Sequence, residues 1–270
     1  MAAKKKKPTL AERADRHQLY EDAVQDVESE LDFVIQTWGA LRKRPLRKLR
    51  EDFAGTCATA CEFVRRGRTN EAWGVDFDPE VLDWGKRNRV AKLAPAGQQR
   101  MHQVLGNVLT AKTPEVDVLL GMNFSYWIFK TRDELKGYFK RVRANLADDG
   151  IAMFDAFGGY DAYREMNEKR DCGKFTYVWH QERYDPVTSE LDTRIEFRFK
   201  DGSKIKNAFS YHWRLWTLPE LRELLLEAGF SKATVYWQGW DEDDEPDGDF
   251  KPAEHGEADA GWLVYLVAEK

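Results

Sequence analysis

Little in this sequence could build a disulfide framework or a metal centre. Three cysteines in 270 residues are an odd number, which argues against disulfide stapling and for a reducing compartment. No Cys/His group has the spacing of zinc ligands, so no metal site is expected. No apolar run approaches the length of a membrane span. The lysine-rich start, Met1–Pro8, lacks the apolar stretch of a secretory signal, so a cytoplasmic location is expected. There is no internal repeat, and no nucleophile–base dyad or triad stands out.

With 33% charged and 42% hydrophobic residues, the composition is that of a globular chain long enough for one large α/β domain with an insertion. The net charge of −5 is unevenly spread: Arg42–Arg50 is basic and Asp241–Asp249 is acidic. The basic run has the charge to meet nucleic-acid phosphates. The plainer reading is a solvated approach to the first strand. The first lysines read as a disordered tail.

Apolar residues recur at helical spacing from Ala11 to Trp38 (Tyr20, Val24, Val27, Leu31, Val34 and Ile35), which predicts a helix ahead of the first strand. Strands are predicted over 50–53, 72–77, 101–108, 116–122 and 151–154. Between them lie helices over 58–66, from Asp78 to about Leu93, and behind the capping box Thr131–Glu134. Asp148–Gly150 reads as the turn before the fifth strand.

From Phe175 to Trp216 the pattern changes to alternation rich in aromatics, with Asp201–Gly202 as a hairpin turn. A capping box at Thr217–Glu220 opens another helix, ended by Gly229. Strands over 234–237 and 262–268 flank the acidic segment as an antiparallel edge pair. The expected fold is α/β: a doubly wound, mostly parallel seven-stranded sheet with an antiparallel β insertion and a helical N-terminal cap. The expected organisation is a tail and cap helix over 1–48 and a Rossmann-like domain over 49–270, with 158–216 as a lid.

The most informative run is Leu49–Ala60 (LREDFAGTCATA), a strand end, a small-residue turn and a helix start, followed by a second strand that ends in an acid at Asp76. Such a βαβ unit holds a nucleoside-like ligand at the carboxyl edge of a parallel sheet. In this order the motifs resemble those of class I S-adenosylmethionine-dependent methyltransferases. Glu51 falls at the family's acid, Gly55 at the middle glycine of its Gly-x-Gly-x-Gly-like turn, and Phe53 and Cys57 at the other two.

The resemblance implies S-adenosylmethionine as cofactor. It implies that Phe53, Ala54, Gly55 and Thr56 give backbone to the methionine part and that Glu51 orients the turn or the cofactor amine. Asp76 then accepts from the ribose diol, Phe77 lies beside adenine, and Asn107 and Val108 meet the adenine edge. Tyr20 approaches from the leading helix. Read singly, Gly55 is also an ordinary turn glycine, Asp76 a cap and Asn107 a turn residue. A dinucleotide-binding oxidoreductase is the rival on this geometry, but its Gly-x-Gly-x-x-Gly is absent.

The loop Asn123–Trp127 resembles the Asn/Asp-Pro-Pro-Tyr loop of amine methyltransferases without its prolines. That makes Asn123 a further cofactor contact and, with Tyr126, a catalytic candidate; packing is the other reading of Tyr126 and Trp127. Asp155 and His212 are candidate bases, with a turn role and a structural role as their alternatives. The aromatics of the insertion suit a flat or cationic acceptor or the core of a small sheet. Arg194, Arg198 and Arg214 are anion grips or exposed strand residues.

The expected function is methyl transfer to nitrogen or oxygen of a small molecule, with no membrane, no nucleic-acid partner, and an oligomeric state left open. The alternatives are a nucleic-acid or protein N-methyltransferase and a non-enzymatic cofactor-binding protein.

Overall fold

A computed structural model describes residues 7–240 and 246–270. In chain order the N-terminal helices are α1 (Leu10–Arg13), α2 (Arg16–Val24) and α3 (Val27–Leu41). Then come β1 (Lys48–Asp52), α4 (Ala58–Arg66), β2 (Glu71–Asp76), α5 (Pro79–Asn88), α6 (Pro95–Gln98) and β3 (Met101–Leu105). They are followed by β4 (Val116–Gly121), α7 (Arg132–Ala144), β5 (Leu146–Gly158) and β6 (Met166–Asp171). The rest are β7 (Phe175–Tyr184), β8 (Glu190–Phe199), β9 (Lys204–Arg214), α8 (Leu218–Glu227), β10 (Lys232–Trp240), β11 (Pro246–Ala253) and β12 (Trp262–Glu269).

The chain divides into two compact units. One contains Val27–Ala162 and Leu215–Lys270. Its sheet has the order β11-β10-β12-β5-β4-β1-β2-β3. β3, β2, β1, β4 and β5 run parallel, and β12, β10 and β11 continue antiparallel. α3, α4 and α5 bury Leu31, Val34, Trp38, Phe63, Val64 and Leu82 in one core with Leu49, Val118 and Val267 of the sheet. On α7, Phe139 meets Phe154 of β5 at 5.0 Å, and Arg132 on α7 pairs with Glu227 of α8. The strand order reverses direction at β1, and in sheets of this kind ligands gather at the carboxyl ends of the strands beside that reversal.

Helix starts follow local chemistry. Asp78 caps α5, its carboxylate accepting from Glu80 N–H and Val81 N–H, with Pro79 in the first turn. Reciprocal capping boxes form at Thr131/Glu134 and Thr217/Glu220. Gly229, at φ 100°, ends α8.

The second unit joins the described residues up to Asp26 with Tyr163–Arg214. It is a four-stranded antiparallel sheet, order β6-β7-β8-β9, whose Phe175, Ile195, Phe197 and Ala208 form a core with Leu19 and Ala23 of α2.

Four expectations are corrected. The sheet has eight strands, not seven, because β11 forms in the segment read as an acidic loop and takes the edge expected for β10. The first five residues of that acidic run, 241–245, lie outside the described residues, as do Lys4–Lys6. The single helix expected over 11–38 is three. Ala14 and Gln25 are extended, and Asp15 starts α2 by accepting from His17 N–H and Gln18 N–H. The division therefore falls after Asp26, and α3 belongs to the large sheet's unit rather than to a cap. Asp148–Gly150 does not precede the fifth strand but lies inside β5, where the register against β4 shifts between Val116 and Val118. Sequence reading also missed β6, a charged edge strand.

Candidate active site

The turn between β1 and α4 has left-handed backbone at alternate residues: φ is 57° at Phe53, 50° at Gly55 and 60° at Cys57. These are the three positions matched to the glycine motif, so the backbone of that turn persists although two glycines are gone. A side chain in this region costs about 1–2 kcal/mol per residue; surrounding contacts must offset it. Ala54 N–H donates to the Val75 carbonyl at 3.0 Å and Gly55 N–H to Asp76 Oδ2 at 2.8 Å.

Two glycines admit the turn from below. A Cβ on Gly74 would sit 2.5 Å from Cys57 Sγ, and one on Gly85 would sit 2.3 Å from the Thr56 carbonyl oxygen. At Gly55 a Cβ would meet nothing within 4 Å, so the turn has open space on that side. Gly85→Ala is expected to push α5 off the turn, lowering the melting temperature by several degrees for a cost of roughly 2 kcal/mol. Thermal denaturation checks this; an unchanged midpoint would contradict the close approach.

Glu51 is buried, and its Oε2 accepts from Ala60 N–H at 3.1 Å. Cys57, at the N-cap of α4, makes no side-chain cap bond, so Glu51 supplies that cap from β1. Burial pushes its carboxyl up to about 8. An acid raised on folding keeps its proton in the native state and loses it when unfolded. Its stabilisation is complete below about pH 4.5 and lost as pH climbs towards 8. Melting temperature is therefore expected to fall from pH 5 to 8 less steeply in Glu51→Gln than in the wild type. Parallel curves would refute it.

One strand over, Asp76 ends β2. Its Oδ2 holds Gly55 N–H and its Oδ1 holds Asp78 N–H at 2.9 Å. A carboxylate has about four acceptor positions, so sites remain for further donors. Phe77, next in the chain, is 71% exposed, and Leu105, paired with Asp76 across β2 and β3, is 61% exposed. Sequence reading missed Leu105; an apolar residue at the end of a strand was its only signal. Asn107, also exposed, forms an Asx turn in which Oδ1 accepts from Leu109 N–H at 2.9 Å, and Val108 beside it is buried.

The loop after β4 is held by its neighbour strand. Asn123 and Phe124 are both left-handed, at φ 57° and 56°. Their N–H groups donate to Asp155 Oδ2 and Oδ1 at 2.7 and 2.9 Å. Asp155 thus clamps the loop from the adjacent strand, and burial pushes its carboxyl up to about 7. Tyr126 is fully buried and donates its hydroxyl to the Asp155 carbonyl at 2.8 Å. Burial raises that phenol well above its ordinary range, which removes Tyr126 as a proton acceptor. With Trp127 it packs among Phe139, Phe154 and Phe157.

Two candidates lie in the smaller unit. Tyr20 rests against Phe209, ring centroids 4.8 Å apart. His212 has a 73% exposed side chain whose Nδ1 meets Asp192 Oδ1 at 2.9 Å. The insertion's aromatics serve its own core: Trp179, Tyr211 and Trp213 pack at 4.4–6.2 Å. Arg194 and Arg198 both pair with Glu196.

Three basic residues of the run, Arg42, Arg44 and Arg50, pair with acids. Arg42 pairs with Glu269 at 2.8 Å, and Arg44 pairs with Asp117 and Asp149 at 2.7 and 2.6 Å. Arg50, read as part of a solvated approach, is completely buried. Among the described residues no group of three or more His, Cys, Asp or Glu could hold a metal ion, and no helix is long and apolar enough to cross a membrane.

No protein-family model and no curated protein matches the sequence. Solved structures do. An S-adenosylmethionine-dependent methyltransferase from Clostridium acetobutylicum superposes with a TM-score of 0.68 at 16% identity, over 94% of this chain and 96% of that one. CalS10, an amino pentose methyltransferase from Micromonospora echinaspora, gives 0.64 at 15%, over 94% and 95%. The sugar N-methyltransferase KedS8 from Streptoalloteichus gives 0.64 at 13%, over 100% and 97%. The fold is that of class I S-adenosylmethionine-dependent methyltransferases.

Proposed function

We propose that this chain transfers a methyl group from S-adenosylmethionine to a nitrogen or oxygen atom of a small molecule. One observation carries the reading. At neighbouring strand ends beside the reversal of the sheet, the Asp76 carboxylate meets the Gly55 amide at 2.8 Å, with open space over Gly55 and exposed Phe77 and Leu105 alongside. The donor set fits an adenosyl group. Asp76 has acceptor positions for two ribose hydroxyls, Phe77 and Leu105 offer apolar surface to adenine, and Asn107 offers an amide to its edge. The backbone of Phe53, Ala54, Gly55 and Thr56 lines the methionine part, where the Gly55 position has room for close approach. Val108 closes the adenine side.

The bound cofactor supplies an electrophilic sulfonium methyl, and the protein's tasks are alignment and exclusion of water. Asp155 holds Asn123 and Phe124 in place at the strand end beside β1, and so sets that wall of the acceptor region. Because Asp155 and Tyr126 are both committed to the loop, the site favours an acceptor whose lone pair is available without proton removal, an amine before a hydroxyl. Of the structures with this fold, one is named an amino pentose methyltransferase and another a sugar N-methyltransferase; the second name is in keeping with that preference. A nucleic-acid acceptor is disfavoured by the net charge of −5 and by the pairing of Arg42 and Arg44 with acids.

The test is calorimetric titration with S-adenosylhomocysteine, followed by transfer of labelled methyl to panels of small amines, phenols and acids. Binding with transfer to amines is expected. Absence of binding would overturn the reading and leave a protein that shares only the fold.

A further inference from the structure

We propose that Arg50 is a positioning residue for the adenine side of the site, acting through the loop that follows β3; the proposal rests on the cofactor reading above. Arg50 lies on β1 with no exposed side-chain surface. Its Nε donates to Asp52 Oδ1 at 2.7 Å, its Nη2 to the Val108 carbonyl at 3.2 Å, and its Nη1 to Thr113 Oγ1 at 3.1 Å and the Ala111 carbonyl at 3.5 Å. The second oxygen of Asp52 accepts from the Tyr138 hydroxyl on α7 at 3.2 Å.

A buried ion pair is by itself weak support for a fold, since apolar side chains of similar volume often do as well. What an apolar side chain cannot do here is satisfy the carbonyls of Val108 and Ala111, both of them buried residues in a loop outside the sheet. A buried carbonyl without a donor is strongly disfavoured. The planar guanidinium has five donors in a fixed fork, so it can reach the loop and Asp52 together, which an ammonium on a flexible stem cannot. Arg141 of α7 adds a second donor to the Ala111 carbonyl, at 3.3 Å.

The loop is thereby fixed at both ends. At its start Gly106 N–H donates to the Asp76 carbonyl at 2.9 Å, and at its far side Arg50 gathers Val108, Ala111 and Thr113. Asn107 lies between these ties. Arg50 sits on the strand that leads into the Phe53–Cys57 turn, so one side chain joins the adenine loop to the methionine turn. It acts through Asn107 and its neighbours rather than on the ligand.

The test uses the full chain, Arg50→Lys, and S-adenosylhomocysteine. The lysine keeps a positive charge opposite Asp52 and loses the fork. Affinity is expected to fall about tenfold, because more than one loop contact is lost. Amide hydrogen exchange should speed up over 106–113 while α4 and β5 keep their protection. The double variant Arg50→Lys/Asn107→Ala should bind no more weakly than Arg50→Lys, since the lysine already uncouples Asn107. Wild-type affinity in Arg50→Lys, or full additivity in the double variant, would overturn the proposal and leave the cofactor reading standing. Absence of binding by the wild type would remove both. If Arg50→Lys fails to fold, Thr113→Val removes one acceptor outside the ion pair; a loss of about threefold is then expected, and unchanged affinity overturns the proposal.

Discussion

Asp76→Ala is expected to bind S-adenosylhomocysteine at least about 100-fold more weakly than the wild-type chain, because two hydrogen bonds to a charged acceptor contribute roughly 1.5–3 kcal/mol each. The same carboxylate holds Gly55 N–H and Asp78 N–H, so its removal also loosens the turn. Both amides lie at the sheet's rim, where water can replace the lost acceptor. The drop in melting temperature should therefore stay within about 5 °C, the equivalent of 1–2 kcal/mol in a chain of this size. Asp76→Asn should fall between, since the amide keeps one acceptor oxygen but turns a donor towards one of its two N–H partners. Calorimetry and a thermal scan on the same samples separate the two effects. Full affinity in Asp76→Ala would place the ribose elsewhere.

The elements that position Asp76 and Gly55 were legible because their signals are local. Asp78 and Pro79 mark the start of α5 within three residues of Asp76, and the expected helix over 58–66 has the bounds found for α4. What the sequence could not show was what each apolar face meets. Tyr20 and Leu31 lie on one helical stripe in the sequence, yet Tyr20 packs beside the core of the small sheet and Leu31 belongs to that of the large one. Periodicity reports that a face is apolar and is silent about its partner.

The edge strands β6 and β11 escaped because their residues carry little apolar alternation; a neighbouring strand's backbone holds them. Phe53 and Cys57 stand at two glycine positions of the motif, and their identity alone does not reveal the left-handed backbone found there. Gly74 and Gly85, distant in sequence, accommodate the turn that those two residues complete. Arg50 looked like one more charge in a basic run; only the fold brings Asp52, Val108 and Thr113 around it.

Asp155, a candidate base with a turn role as the alternative, holds the loop after β4, and its variant has the second large effect. In Asp155→Ala the N–H groups of Asn123 and Phe124 lose their acceptor, and with it the contact that holds both residues left-handed. Leaving a partly buried donor unsatisfied costs about 1–3 kcal/mol, so two cost roughly 3 kcal/mol or more, and the melting temperature should fall by about 6–12 °C. The loop would relax towards right-handed backbone, and methyl transfer at saturating cofactor should drop about 100-fold, as expected when a positioning wall moves by an ångström. Affinity for S-adenosylhomocysteine should change much less, because Asp76, Phe77 and Asn107 lie on the other side of β1.

A catalytic base would behave differently. Its removal would abolish turnover with the melting temperature unchanged, and wild-type activity would rise with pH through the Asp155 value of about 7. As a clamp with a raised carboxyl, Asp155 instead gives stability that is complete below about pH 4 and fades as pH climbs towards 7, a slope that Asp155→Ala should lack. Loss of stability together with loss of turnover identifies the clamp; loss of turnover alone restores the base.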